Sequence, residues 1–93
     1  MINPDKFSNL IDFIAFFFCQ TFSSDEYVHQ VQFYNRISKP IERKKLKEEI
    51  NLLISKHSYS DIRWFINKHC GLKPKSEETA KWLIVTILEN LVD

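Results

Sequence analysis

Glycine is almost missing from this chain: one occurs in 93 residues, beside three prolines and two cysteines. All-β folds turn tightly and often, and glycine is the usual supplier of the positive φ that such turns need. A chain with so few turn residues reads instead as a few helices on short connections. Neither sign of charge dominates. Thirteen basic against twelve acidic residues leave a formal net charge of +1, which argues against a dedicated polyanion binder, since those carry a clear basic excess. A long apolar run is also lacking. The most apolar stretch, Leu10 to Cys19 with Asp12 inside it, is roughly half the ~20 residues a membrane span needs. A core helix accounts for it, and no membrane partner is expected. No secretory n-region, h-region and cleavage site opens the chain. Cys19 and Cys70 are therefore expected to be free, mostly buried thiols in a reducing, cytoplasmic compartment.

What is present suits one folded unit. The chain is 44% hydrophobic and 27% charged, ordinary for a globular domain and too apolar for a disordered one. The expectation is an all-α fold: residues 1–93 as a compact single-domain bundle of about five helices. The first spans about Pro4 to Phe22. Phe7, Leu10, Ile11, Ile14, Phe17 and Phe18 recur at three- and four-residue intervals and form its inner face. Phe13 and Phe16 lie off that face, so the helix is apolar nearly all round and is expected at the centre of the bundle.

Ser23-Ser24-Asp25 offers a break and an N-cap before a second helix, with Tyr27, Val31 and Tyr34 on its stripe and Val28 and Ile37 at the margins. A short strand also suits the β-branched and aromatic residues there. Pro40 opens a third helix, whose Leu46, Ile50, Leu53 and Ile54 face inward. Arg43, Lys44, Lys45, Lys47, Glu48 and Glu49 read as mostly solvated, with Lys44–Glu48 and Lys45–Glu49 as i,i+4 pairs. Ser58 with Asp61 resembles a capping box before a fourth helix carrying Ile62, Phe65 and Ile66. Gly71 stands where a left-handed residue ends a helix, and Pro74 follows. Ser76 then caps a fifth helix, with Glu77 and Glu78 at the positive end of its dipole and Ala80, Leu83, Ile84, Ile87 and Leu91 on its apolar face.

Catalytic chemistry is not visible. Cys19, Cys70, His29, His57 and His69 lack the paired spacing of a zinc site. The chain has no H-E-x-x-H, no glycine-rich phosphate loop and no nucleophile elbow. His57 and Asp61 could meet across a helix start, but the simpler reading makes Asp61 a cap and leaves His57 in solvent. No enzyme activity, cofactor, metal or small-molecule partner is expected. The basic run Arg43 to Lys47, or a helix-turn-helix placing Arg63 and Lys68 on its second helix, could touch phosphates. Glu42, Glu48 and Glu49 flank that run, however, and favour a solvated face. Aromatics are abundant, with eight Phe, three Tyr and two Trp. Tyr59, Trp64 and Trp82 each lie beside a stripe, where a partly exposed ring can anchor an interface.

One local pattern goes further. Phe17-Phe18-Cys19-Gln20-Thr21-Phe22, closing an apolar first helix, resembles the signature of all-helical immunity proteins of bacterial contact-dependent growth-inhibition systems. That signature runs approximately Tyr-Phe-His-Gln-Asp-Trp/Phe. Here the second Phe, the Gln and the last aromatic match, Phe17 stands for Tyr, and Cys19 and Thr21 replace His and Asp. The layout is similar along nearly the whole chain, through Ser38-Lys39-Pro40, the charged helix with Glu48-Glu49-Ile50-Asn51-Leu52-Leu53, a Gly-Leu turn and Trp82-Leu83 in the last helix. The resemblance implies a protein that binds and neutralises the toxic C-terminal domain of a cognate effector by covering its active site. Such toxins are often nucleases, frequently acting on tRNA, and such inhibitors often present carboxylates to a basic cleft. The residues expected to touch the toxin are Asp25, Glu26 and Tyr27 at the second helix start, Tyr59, Asp61 and Trp64 on the fourth helix, and Glu77 and Glu78 at the fifth. Two other readings stay open: a small nucleic-acid-binding regulator using the basic run, and an adaptor packed against a larger protein.

Overall fold

The structure, a computed structural model, describes residues 2–19 and 23–93. Among these residues the chain forms five α-helices and no strand: α1 (Ser8–Phe13), α2 (Ser24–Ile37), α3 (Pro40–Lys56), α4 (Tyr59–His69) and α5 (Glu77–Asn90). The all-α expectation holds, including over α2, where a strand was the competing choice.

Most helix starts follow from short polar side chains. The Oγ atoms of Ser23, Ser58 and Ser76 accept the backbone N–H groups of Glu26, Asp61 and Thr79 at 3.3, 3.2 and 3.1 Å. Each bond satisfies a first-turn donor that the helix itself leaves open. After α4, Gly71 adopts φ 72°, the left-handed conformation expected of it.

The first helix is a composite. A 3-10 turn (Pro4–Phe7) leads into α1, and a π turn (Ile14–Phe18) follows it. Residues 20–22, expected to close this helix and forming half of the hexapeptide, lie outside the described residues. The expected inner face holds at Phe7, Leu10, Ile14 and Phe18, which are buried, and at Ile11 and Phe17, which pack against the core; Phe13, expected off that face, joins it beside the π turn. The i→i+5 bonding of that turn widens it, so residues five apart come together. Phe13 and Phe18 accordingly meet edge-on at 5.2 Å between ring centroids, and both are buried. Phe16 is turned out and is 83% exposed. Cys19, just beyond, is also exposed, contrary to expectation, whereas Cys70 is buried.

The centre of the bundle belongs to α5 and not to the first helix. It packs against α4 and α2 and also touches α3, while α1 packs on α3. From Trp82 to Leu88 the sequence of α5 carries no charge, and Leu83, Ile84, Thr86 and Ile87 are buried. They join Leu46, Ile50 and Leu53 of α3 and Ile62, Phe65 and Ile66 of α4 in one core.

Two charged residues expected in solvent hold this arrangement together. Glu49 of α3 accepts the Leu10 N–H at 3.0 Å and a bond from the Asn9 side-chain amide. It thus caps α1, whose own N-cap, Phe7, has no side-chain acceptor. Arg43 is buried, with 7% of its surface exposed. Its Nη1 donates to the carbonyls of Asn35 and Ser38 at 3.1 and 2.6 Å and to Ser38 Oγ at 3.0 Å. Its Nε and Nη2 reach the carbonyls of Val92 and Asp93. Among the described residues the one ion pair is Lys47–Asp93 at 2.6 Å, and the expected i,i+4 pairs on α3 do not form.

Candidate protein-binding surface

Helix starts expose the carboxylates singled out in the sequence. Asp25 and Glu26 lie in the first turn of α2, Asp61 in that of α4, and Glu77 and Glu78 in that of α5; all five are exposed. The aromatic residues expected beside them are not equivalent. Tyr27 is half-buried, set edge-on against Phe18 at 4.7 Å and Trp82 at 5.5 Å. Burial, and secondarily the Glu26 carboxylate, raises the pKa of its phenol. Tyr59 is half-buried with Lys81 Nζ 5.6 Å from its ring centre. Lys81 and Trp82 are consecutive, so one turn of α5 gathers Tyr27 and Tyr59 on either side. Trp64 stands elsewhere on α4, 42% exposed, with Lys68 Nζ 4.8 Å above it and the His69 ring 6.1 Å away. The surface therefore alternates in sign: a lysine accompanies both Tyr59 and Trp64.

A second aromatic surface lies where the π turn meets α2. Phe16 touches Phe17 at 5.9 Å, and Phe17 touches Phe33 at 6.3 Å and Tyr34 at 5.4 Å. Phe33 is 44% exposed, with the Arg36 guanidinium 5.9 Å from its ring centre. Ring contacts continue inward from Tyr34 to Phe13 at 5.0 Å, then to Phe18, Tyr27 and Trp82. The two surfaces are thus the ends of one chain of packed rings, buried in the middle and open at Phe16 and Trp82. Phe16 and Phe33 were not among the expected contact residues. For Phe16 the signal was an excess: four Phe among residues 13–18 are more than one α-helical stripe can hide.

Other candidates are taken up by the fold. Arg63 donates to the carbonyls of Pro74 and Lys75 at 3.2 and 3.0 Å, which ties the connection after α4 back along that helix. With Arg43 buried and Lys47 paired, the basic run offers less to phosphates than its sequence suggests. His57 is half-buried rather than free in solvent, its ring edge-on to Phe7 at 6.5 Å. Burial pushes the Cys70 thiol up to about 12. Among the described residues no three His, Cys, Asp or Glu side chains gather into a possible metal site. No helix among them is long and apolar enough to cross a membrane. No family model, curated protein or solved structure matches the chain.

Proposed function

We propose that this protein acts by binding another protein, and that the partner is the toxic C-terminal domain of a contact-dependent growth-inhibition effector. The toxin, a nuclease and in one form a tRNase, is neutralised when the bound inhibitor covers its active site. The observation that carries the protein-binding part is the exposure of Phe16, Phe33 and Trp82 on a backing of packed rings. Large aromatics held rigid at a surface lose little entropy on docking and anchor interfaces well. The identity of the partner rests on the sequence resemblance, with Asp25, Glu26, Asp61, Glu77 and Glu78 as the carboxylates that would meet a basic cleft. The test is co-expression with the toxic C-terminal domain encoded immediately upstream. Rescue of growth, with a complex that survives gel filtration, supports the reading; a toxin that kills regardless refutes it.

A further inference from the structure

Phe13, Phe16, Phe17 and Tyr34 line a hollow of about 350 Å³ whose other lining residues include Asp12 and Glu42 and no basic side chain. The aromatic wall and the carboxylates favour the same visitor. Ring faces carry negative potential, and a cation held over one gains more as water is excluded. Asp12 is exposed and lies four residues before Phe16, on the same side of the helix. Glu42 uses Oε1 to accept the Lys39 N–H at 2.7 Å, which leaves Oε2 for another donor.

The cations already nearby do not fill this role. Arg43, next to Glu42 in the chain, directs its guanidinium at backbone carbonyls and Ser38. Arg36 lies over Phe33, outside the lining. The Tyr34 hydroxyl reports the local field: burial raises its pKa first and Glu42 next, Arg43 opposes, and Glu49 adds to the rise.

We infer that this hollow receives an arginine side chain of the protein partner. The guanidinium stacks on the Phe16–Tyr34 wall while its N–H groups donate to Asp12 and Glu42. Arginine suits the site better than lysine, because its flat, weakly hydrated ion covers a ring and its forked donors can serve two carboxylates. The assignment rests on the protein-binding reading above and specifies the chemistry of the partner.

Titration of the ¹⁵N-labelled protein with N-acetyl-arginine amide, and with its neutral isostere N-acetyl-citrulline amide, tests this directly. The arginine probe is expected to shift the amides of Asp12, Phe16, Phe17 and Tyr34 saturably. Citrulline should bind roughly tenfold more weakly, as should arginine to Phe16→Ala or to the double variant Asp12→Asn/Glu42→Gln. These variants keep the fold, since Phe16 is exposed and Gln retains an oxygen for the Lys39 N–H. Equal binding of citrulline, or an arginine titration that leaves these residues unmoved, overturns the inference. The toxin assay separates the two levels. Full neutralisation by Asp12→Asn/Phe16→Ala sinks the pocket assignment and leaves the protein-binding reading standing. A pocket that takes the arginine probe in a chain that binds no toxin sinks the functional reading instead.

Discussion

Arg43, in the middle of a lysine-rich helical run, donates its Nε to the carbonyl of Val92, 49 positions along the chain, at 3.1 Å. The same guanidinium reaches the end of α2, so one side chain joins the α2–α3 connection to the far end of the chain. Asn35 completes the tie, donating from Nδ2 to the Asn90 carbonyl at 2.7 Å and accepting the Val92 N–H at 3.2 Å. Removing Arg43 would take the donor from four backbone carbonyls at once, those of Asn35, Ser38, Val92 and Asp93.

Arg43→Met should therefore cost about 1–3 kcal/mol, because the part-buried carbonyls lose charged donors that a thioether cannot replace. Arg43→Lys should recover only part of this, since one ammonium cannot fan out to Ser38, Val92 and Asp93. Urea denaturation at unchanged m reads both losses. Stability equal to wild type in the methionine variant would mean the tie is incidental.

At Gly71 the cost is purely conformational. Its φ is 72°, and a Cβ added there meets nothing within 4 Å. Gly71→Ala should destabilise by about 1–2 kcal/mol and Gly71→Asn by less, as asparagine tolerates the left-handed region. A thermal melt in which the two variants coincide would contradict that ranking.

The two thiols should separate in labelling and in pH dependence. At pH 8 a thiol reagent should modify Cys19 in the folded chain and reach Cys70 only on unfolding, because Cys70 is buried. The Cys70 thiol is held at about 12 against an ordinary 9.0. Its raised value contributes no loss below pH 9; above it the unfolded chain ionises first, and stability drains away until the folded thiol ionises too. The slope in that window is ~1.4 kcal/mol per pH unit. Cys70→Val should flatten the decline without abolishing it, since the Tyr27 and Tyr34 phenols are raised in the same direction. Denaturant midpoints between pH 8 and 11 give the comparison.

Charge reversal at Asp25, Glu26, Asp61, Glu77 and Glu78 should weaken toxin binding by at least roughly tenfold and remove the salt dependence of its association rate. Circular dichroism must accompany the measurement, because lysines in a first turn also oppose the helix dipole. Unchanged affinity in a folded variant would falsify the assignment of these residues.

Much of the architecture could be read locally. Ser23, Ser58 and Ser76 cap the helices they precede, and Gly71 ends α4 in the conformation its position implies. Leu46, Ile50 and Leu53 bury as their spacing requires. Tyr59, Trp64 and Trp82, set beside their stripes, do remain partly exposed. The site was less legible. Phe13 and Phe16 both fall off the α-helical stripe, yet one is buried and the other exposed. What tells them apart is the packing of α2, whose Tyr34 covers Phe13 and leaves Phe16 open.

The sequence by itself determined where helices begin and end and which stripes face inward, because caps, glycine and apolar spacing act within a few residues of one another. Tertiary structure alone decided the rest. It drew Arg43 from a basic run into the interior, set Glu49 over the start of α1, and gave the central place to α5. Those choices answer to carbonyls and N–H groups left open at helix ends, and which side chain can reach them depends on how the helices pack.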